Sequence, residues 1–156
     1  MKKIQLTQGK YALVDDEDFE WLNSWKWFYR NASNGYACRH STKKDSPRLG
    51  LISMHREILT LQNNQFCDHK NGNGLDNQRK NLRVCTLSEN QWNTPKRKTN
   101  TSKYKGISYN KRDKVWTAML RSQGKNLWLG GFKNKNDAIK IYKDTAHKLR
   151  GAFVRF

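Results

Sequence analysis

Residues 67–90 have the sequence CDHKNGNGLDNQRKNLRVCTLSEN, and this stretch decides how the middle of the chain folds. Two glycines and an Asp-Asn pair predict a loop over residues 72–77, and residues 81–85 predict a strand that returns beside the strand before the loop. Thr86 and Glu89 have the spacing of a capping box, so a helix is predicted to begin directly after Thr86. The stretch therefore predicts a strand, a loop, a second strand and a helix.

Four polar side chains of this stretch have the residue types that phosphodiester cleavage requires: Asp68, His69, Asn81 and Asn90. Hydrolysis needs a base that activates water and a cation that stabilises charge on the phosphorane and on the leaving 3′ oxygen. Asp68 and His69 are adjacent, so on a strand their side chains point to opposite faces unless the backbone twists. One of them can therefore bind a metal ion while the other approaches the water from another side.

The pattern of Asp68-His69, Asn81 and Asn90 resembles the signature of the HNH nuclease family, in its phage homing endonuclease branch with Asn as the last letter. The resemblance implies a ββα-metal fold in which His69 is the general base. It also implies that Asp68 and Asn90 are the ligands of one divalent cation, Mg²⁺ or Mn²⁺. Asn81 would tie the loop and orient His69. His55 lies in a segment that also resembles these proteins, and we expect it to be structural or to face phosphate.

The charge of the chain indicates a nucleic-acid partner. Its 156 residues include 31 Lys and Arg against 13 Asp and Glu, a formal net charge of +18, which would repel itself without an anionic partner. Residues 102–156 alone carry 14 basic and 3 acidic side chains. A membrane-surface role would need a basic helix with a broad apolar face, whereas much of this charge lies in predicted strands and turns.

The sequence lacks the features of a membrane or secreted protein. No stretch approaches the roughly 20 apolar residues of a membrane span, and the N-terminal residues lack the apolar core of a signal peptide. We therefore expect a cytoplasmic protein. Cys38, Cys67 and Cys85 are odd in number and include no Cys-x-x-Cys pair, so we expect reduced, mostly buried thiols rather than disulfides or a zinc site.

The residues ahead of the motif predict a small sheet and helices. Short strand-like runs occupy residues 4–6 and 11–14, and the acidic residues 15–18 suit the positive end of a helix. A third strand is predicted over residues 25–29, and the pair Asn34-Gly35 after it is typical of a hairpin turn. This N-terminal part is expected to lead directly into the motif.

The last third of the chain predicts a three-stranded antiparallel sheet packed on one helix. The strand candidates are residues 106–110, 114–121 and 125–132, with turn residues between them. Residues 134–149 have apolar side chains at helical spacing and are followed by Gly151, a suitable C-terminal cap. With the N-terminal part, this arrangement predicts an α+β fold.

Alternation along the second and third strands divides this sheet into a helix-facing side and an open side. We expect Trp116, Ala118, Leu120, Leu127 and Leu129 to face the helix. The residues expected on the open side are Thr117, Met119, Arg121, Asn126, Trp128 and Gly130. An exposed tryptophan among cations suits a groove-reading surface, although a ring that completes the core at a sheet edge is as common.

The same region resembles the plant APETALA2/ethylene-response-factor DNA-binding domain, in the runs KGI from Lys105 and WLGGF from Trp128 and in residues 137–146. In that family the three-stranded sheet lies in the major groove, so the resemblance implies duplex DNA as the partner. Lys105, Arg121 and Trp128 match DNA-contacting positions. The other candidate DNA contacts are Ser108, Asn110, Thr117, Asn126 and the cations Lys96, Arg97 and Lys98.

These patterns together predict a metal-dependent, homing-type endonuclease that nicks double-stranded DNA as a monomer, without a protein partner. The predicted organisation is a nuclease domain with its N-terminal extension over residues 1–93, a basic linker over residues 94–102 and a DNA-binding domain over residues 103–156. Two alternatives remain open. One is a DNA-binding regulator with an inactive nuclease centre, and the other is an RNA-binding protein that stacks single strands on its basic sheet.

Overall fold

The computed structural model describes residues 1–32, 35–42, 50–62, 64–94, 99–122 and 124–154. These residues form helices and antiparallel sheets, which confirms the predicted α+β fold class. The chain divides into two compact units, Met1–Asn90 and Gln91–Phe156. Among the described residues, none of the helices combines the length and the apolar character that a bilayer span needs.

Short strands and helices build the first part of the N-terminal unit. In chain order they are β1 (Lys2–Gln5), β2 (Tyr11–Val14), α1 (Asp16–Asn23), β3 (Phe28–Arg30), β4 (Tyr36–His40), β5 (Leu51–Ser53) and α2 (Met54–Ile58). Strands β1 and β2 pair with each other, and β3, β4 and β5 form a sheet in that order. The strand predicted over residues 25–29 begins later than expected, because the Trp27 indole N–H donates to Leu22 O at 2.7 Å and holds this segment at the end of α1. Of the predicted Asn34-Gly35 turn, Asn34 lies outside the described residues, and Gly35 has a φ of 65°.

The strand, loop, strand and helix predicted for residues 67–90 are confirmed. They are β6 (Phe66–His69), β7 (Leu82–Cys85) and α3 (Leu87–Trp92). The predicted capping box is also present, because Thr86 N–H donates to Glu89 Oε2 at 2.7 Å and Glu89 N–H donates to Thr86 Oγ1 at 3.2 Å. Strands β6 and β7 are antiparallel, with His69 in register with Leu82.

One hydrophobic core joins β7 to the elements that precede it. Its buried members are Ile4, Leu6, Ala12, Val14, Leu22, Trp27, Ala37, Met54, Ile58 and Leu82. Leu82 is the member that belongs to β7, and Cys67 of β6 packs against the same cluster. The strand pair therefore shares its buried apolar surface with the N-terminal elements.

Arg79 ties the loop between β6 and β7 to α1. Its Nε and Nη2 donate to the Asp18 carboxylate at 2.8 and 2.7 Å, and its backbone N–H donates to Asp15 Oδ2 at 2.7 Å. Asp18 is 2% exposed, and a carboxylate removed from water needs such a charged partner. The acidic residues that suit the start of α1 thus also anchor the loop.

The C-terminal unit is the predicted sheet packed on a helix. Its elements are β8 (Ile107–Asn110), β9 (Val115–Ser122), β10 (Lys125–Phe132) and α4 (Lys135–Arg150), and the sheet order is β10-β9-β8. Its core consists of Ile107, Ala118, Leu120, Ala138, Tyr142 and Ala146. Asn134 caps α4 by accepting from the Asn136 N–H at 2.9 Å, and the helix ends at Gly151 as predicted.

Gly106 allows the chain to enter β8 close to its neighbours. Its φ is 66°, and a Cβ at this position would lie 2.2 Å from Met119 O and 2.3 Å from the Tyr142 ring. A side chain here would therefore meet both an unfavourable backbone conformation and a backbone atom that cannot move aside.

A β-bulge makes part of the predicted alternation wrong. Trp128 is in register with Met119, but Gly130 rather than Leu129 is in register with the next residue, Ala118. Since the bulge inserts one extra residue, Gly130 lies opposite buried Ala118 and not on the open side with Trp128. Ala118 and Leu120 are buried as predicted, and Met119 and Trp128 are 41% and 57% exposed. Leu127, which was expected to face the helix, is 43% exposed, because it lies near the start of the edge strand β10.

Candidate active site

His69 ends β6 as a buried imidazole. It is 5% exposed, and its Nε2 lies 3.2 Å from Asn77 Oδ1. Burial lowers the pKa of His69, and the hydrogen bond to Asn77 and the charges of Asp68 and Asp76 oppose that shift without reversing it. The imidazole is therefore neutral at pH 7, which is the form in which a histidine can accept a proton.

Two further rings enclose His69. The His55 ring meets it edge-on, with centroids 5.0 Å apart and an interplanar angle of 82°. The centroid of the Tyr36 ring lies 5.9 Å from that of the His69 ring and 5.5 Å from that of the His55 ring. Burial lowers the pKa of His55 to about 3, with the neighbouring His69 as the next cause. This pair of histidines is thus held neutral, and Tyr36 is a neighbour of the site that the sequence did not reveal.

Gly74 brings the loop between β6 and β7 against the start of β4. A Cβ at Gly74 would lie 2.0 Å from Gly35 O and 2.8 Å from the Tyr36 ring. No side chain can be accommodated at that distance from a backbone oxygen, so this glycine is needed for close packing. The contact places the loop beside the Tyr36 ring that lines His69.

Asp68 precedes His69 on β6 and points to the other face, as the alternation predicts. Its register partner is Arg83, whereas that of His69 is the core residue Leu82. The Arg83 Nε and Nη2 both donate to Asp68 Oδ2, at 2.9 and 2.6 Å. Asp68 is 5% exposed, so the guanidinium supplies the positive charge that a buried carboxylate needs. The sequence did not identify Arg83 as this partner, although the register of the two strands would have indicated it.

Asn90 lies in the first turns of α3, where its backbone N–H donates to Thr86 O at 3.0 Å. The Asn90 backbone also hydrogen-bonds the Cys85 thiol. The pKa of that thiol is raised to about 11, mainly by burial and secondly by the negative charge of Asp68. Burial raises the pKa of Cys67 to about 12. Both thiols are therefore protonated at pH 7, as expected for reduced, packed cysteines.

The donor atoms at this site suit a hard cation that keeps most of its water. Among the described residues, no group of three or more His, Cys, Asp or Glu side chains is arranged to hold a metal ion. Asp68 offers a carboxylate and Asn90 an amide oxygen, and Mg²⁺ is typically bound through one or two protein carboxylates together with substrate phosphates. A carboxylate and an amide oxygen are therefore donors of the chemical type that Mg²⁺ or Mn²⁺ binds.

Asn81 makes two hydrogen bonds to the loop between β6 and β7. It is buried; its Oδ1 accepts from the Asn71 N–H at 3.1 Å and its Nδ2 donates to Asp76 O at 2.7 Å. The Oδ1 of a second asparagine of the loop, Asn77, lies 3.2 Å from His69 Nε2. Both asparagines belong to the same motif, and nothing in their spacing distinguishes them.

The open side of the C-terminal sheet brings together five of the ten candidate DNA contacts. Thr117 is in register with Ser108, and Arg121 with Asn126. The Ser108 and Thr117 hydroxyls are hydrogen-bonded at 2.7 Å. With exposed Trp128 between these pairs, the side presents hydroxyl, amide, guanidinium and aromatic groups on one surface.

Other candidate contacts are engaged within the unit. Lys105 Nζ donates to Trp92 O at 3.0 Å. Asn110 binds the turn after β8, because its Nδ2 donates to Asp113 Oδ2 at 2.7 Å and its Oδ1 accepts from the Arg112 N–H at 3.0 Å. The linker cations Lys96, Arg97 and Lys98 lie outside the described residues.

The molecule is thus an α+β protein in which a strand–loop–strand–helix unit carries a buried histidine and a buried aspartate, followed by a sheet-on-helix unit rich in basic residues. Over 93 residues, 58% of this chain and 74% of the relative, it is 32% identical to protein 3.8 of Escherichia phage T7. The chain belongs to the same family as that phage protein.

A second relative aligns with almost the whole chain. The uncharacterized HNH endonuclease L560 of Acanthamoeba polyphaga mimivirus is 24% identical over 153 residues, which are 94% of this chain and 74% of the relative. No family model matches the chain. No solved structure matches it either.

Proposed function

We propose that this chain is an HNH-family endonuclease that hydrolyses phosphodiester bonds in double-stranded DNA with one divalent cation. The observation that carries the proposal is the buried imidazole of His69 next to the buried carboxylate of Asp68, at the end of the first strand of the strand–loop–strand–helix motif. The name of the mimivirus relative, an HNH endonuclease, supports the same class. The pattern of Asn81 and Asn90 fits the variant of the family with Asn as the last letter.

In this proposal His69 takes a proton from the water that attacks phosphorus. Asp68 and Asn90 would hold the cation, which would supply positive charge against the negative charge that develops on the phosphorane and on the leaving 3′ oxygen. Asn81 keeps the loop closed through its two hydrogen bonds. Arg83 keeps the Asp68 carboxylate in place on the strand.

The open side of the C-terminal sheet is the proposed DNA-positioning surface, with the docking mode of the APETALA2-like domains that it resembles. Residues 102–156 carry 14 basic and 3 acidic side chains, and such a surface gains affinity by releasing counterions from DNA. The proposed organisation is nuclease, residues 1–93; linker, residues 94–102; and DNA-binding domain, residues 103–156. The proposed enzyme is of the homing type, acts as a monomer that nicks, and works inside the host cell, since its relatives are phage and viral proteins.

The test is incubation of the purified chain with supercoiled plasmid and genomic DNA, in Mg²⁺, Mn²⁺ or chelator. Wild-type protein should nick or linearise DNA only with metal, and His69→Ala should lose about 10²- to 10⁴-fold in rate, as removal of a general base does. His147→Ala, at an exposed position on α4, is the matched control and should cut at the wild-type rate. Full activity of His69→Ala would refute the assignment of the base.

A DNA-binding regulator with an inactive centre is the second candidate. One observation favours it: Asp68 Oδ2 already accepts two hydrogen bonds from Arg83, so the proposed metal ligand has a positive partner within the protein. If the wild-type chain binds duplex DNA and cuts none of it in any metal, this second function is the correct one. Equal affinity for single-stranded RNA would instead indicate the RNA-binding alternative.

A further inference from the structure

One buried amide meets the edge of the His69 ring. Asn77 is fully buried, and its Oδ1 is the atom that lies 3.2 Å from His69 Nε2. An amide oxygen accepts hydrogen bonds and cannot donate them, so the ring nitrogen that faces it carries the proton. In the neutral ring, the lone pair is then on Nδ1.

The opposite end of the Asn77 amide is unusual. Its Nδ2 is buried, and the described part of the chain offers it no hydrogen-bond partner. A buried donor without a partner is unfavourable, and such groups are rare in folded proteins outside sites where they have a role. The side chain is therefore placed for the bond that Oδ1 makes, and not for full satisfaction of its own polar atoms.

The N-terminal hairpin holds Asn77 in position. The Asn77 N–H donates to Leu13 O at 2.8 Å, and the Leu13 N–H donates to Leu75 O at 2.8 Å. Together these bonds form a short parallel bridge between β2 and the loop. Ala12 and Val14, on either side of Leu13, are fully buried. Strand β2, to which the loop is hydrogen-bonded, is therefore fixed in the core.

We propose that Asn77 is a positioning residue that sets the tautomer of His69, with the proton on Nε2 and the lone pair on Nδ1. The bridge from strand β2 holds Asn77 in the position that this role requires. This inference rests on the proposed nuclease function and deepens it. It names Nδ1 as the atom that takes the water proton.

The chemical step balances with this assignment. One O–H bond of water breaks, its proton moves to His69 Nδ1, and the water oxygen bonds to phosphorus. The bond from phosphorus to the 3′ oxygen breaks, and that oxygen takes a proton from solvent. The imidazolium that forms keeps its Nε2–H bonded to Asn77 Oδ1, so the amide also stabilises the charged ring, as the third member of a catalytic triad does.

The test measures the tautomer directly, in the full-length protein labelled with ¹⁵N-histidine and without DNA or metal. Long-range ¹H–¹⁵N correlation spectra distinguish a pyrrole-type nitrogen, which carries hydrogen, from a pyridine-type nitrogen, which does not. Wild type should show a pyrrole-type Nε2 and a pyridine-type Nδ1 for His69. Asn77→Asp keeps an acceptor oxygen and should keep that pattern, whereas Asn77→Leu should give averaged shifts for the two nitrogens.

Cleavage kinetics provide the second measurement. Asn77→Leu should lower kcat by about 10- to 100-fold, a part of the contribution of a general base, and leave the Kd for DNA unchanged. Asn71→Ala is the matched control, because it removes the bonds to Asp76 Oδ2 at 2.7 Å and from the Asn73 N–H at 2.8 Å without touching the His69 ring. It should keep the wild-type tautomer.

Two results would overturn the inference: a wild-type His69 with hydrogen on Nδ1, or an Asn77→Leu variant with both the wild-type tautomer and the wild-type kcat. The first is read from wild type, so it does not depend on whether a variant folds. The proposed function can fail separately. If the His69 tautomer changes in Asn77→Leu but the wild-type chain cuts no DNA, the role of Asn77 is supported and the nuclease function is refuted.

Discussion

His55→Phe should remove part of the acid sensitivity of the N-terminal unit. His55 packs against the rings of His69 and Tyr36, and burial lowers its pKa to about 3. In an unfolded chain a histidine titrates near about pH 6.5. Phenylalanine keeps an aromatic ring at this position and has no titrating nitrogen. The substitution therefore separates the packing of the ring from its protonation.

The sign and size of the effect follow from proton linkage. The folded-state pKa of His55 is depressed, so between about pH 6.5 and pH 3 the unfolded state binds more protons than the folded state. The stability that neutral His55 contributes is complete above that window and is lost as pH falls through it. From about pH 6.5 to pH 5, at about 1.4 kcal/mol per pH unit, the free energy of unfolding should fall by about 2 kcal/mol.

Urea unfolding followed by tryptophan fluorescence, near neutral pH and near pH 5, measures this fall for both proteins. Any effect of the larger phenylalanine ring is present at both pH values and cancels in the difference. The wild-type free energy of unfolding should decrease by about 2 kcal/mol more than that of His55→Phe. Equal decreases in the two proteins would show that His55 is not held neutral in the folded state.

Four further variants test other parts of the structure. Arg79→Ala should lower the free energy of unfolding by about 2 kcal/mol, less than a fully buried pair would lose, because its side chain is 46% exposed. Lys2→Ala, from an exposed ion pair, should lower it by less than about 1 kcal/mol in the same urea titration, and equal losses would contradict the anchoring role of Arg79. Trp128→Ala should weaken DNA binding about tenfold in a mobility-shift titration and leave the thermal midpoint unchanged; an unaltered Kd would remove the open side from the interface. Gly106→Ala should cost more than about 2 kcal/mol in thermal unfolding, and a wild-type Tm would refute the close packing at β8.

Local signals in the sequence were enough to predict the main elements. The capping box of Thr86 and Glu89 places the start of α3, and Gly151 places the end of α4. Both depend on residues within a few positions of each other, so neither needs knowledge of the rest of the fold. The adjacent pair Asp68-His69 was likewise expected on opposite faces of a strand, because side chains alternate along any strand.

Contacts between distant residues could not be predicted in the same way. The bond between His69 and Asn77 depends on how a loop of several residues folds back, and Tyr36 reaches the site from another sheet. The bulge at Leu129 was missed because a single extra residue leaves the local alternation unchanged up to the point where it occurs. Each of these features is set by register and packing, which a single sequence specifies only through the complete fold.

The bond between the Arg79 backbone and Asp15 joins positions that are 64 residues apart. Contacts of such large sequence separation form late and together with the rest of a domain, because closing a long segment of chain is entropically unfavourable until many contacts compensate for it. During synthesis, Asp15 and Asp18 can form their bonds to Arg79 only after Arg79 has left the ribosome. A chain that ends before Arg79 lacks this bond and all of β7, so it lacks the strand pair that carries Asp68 and His69.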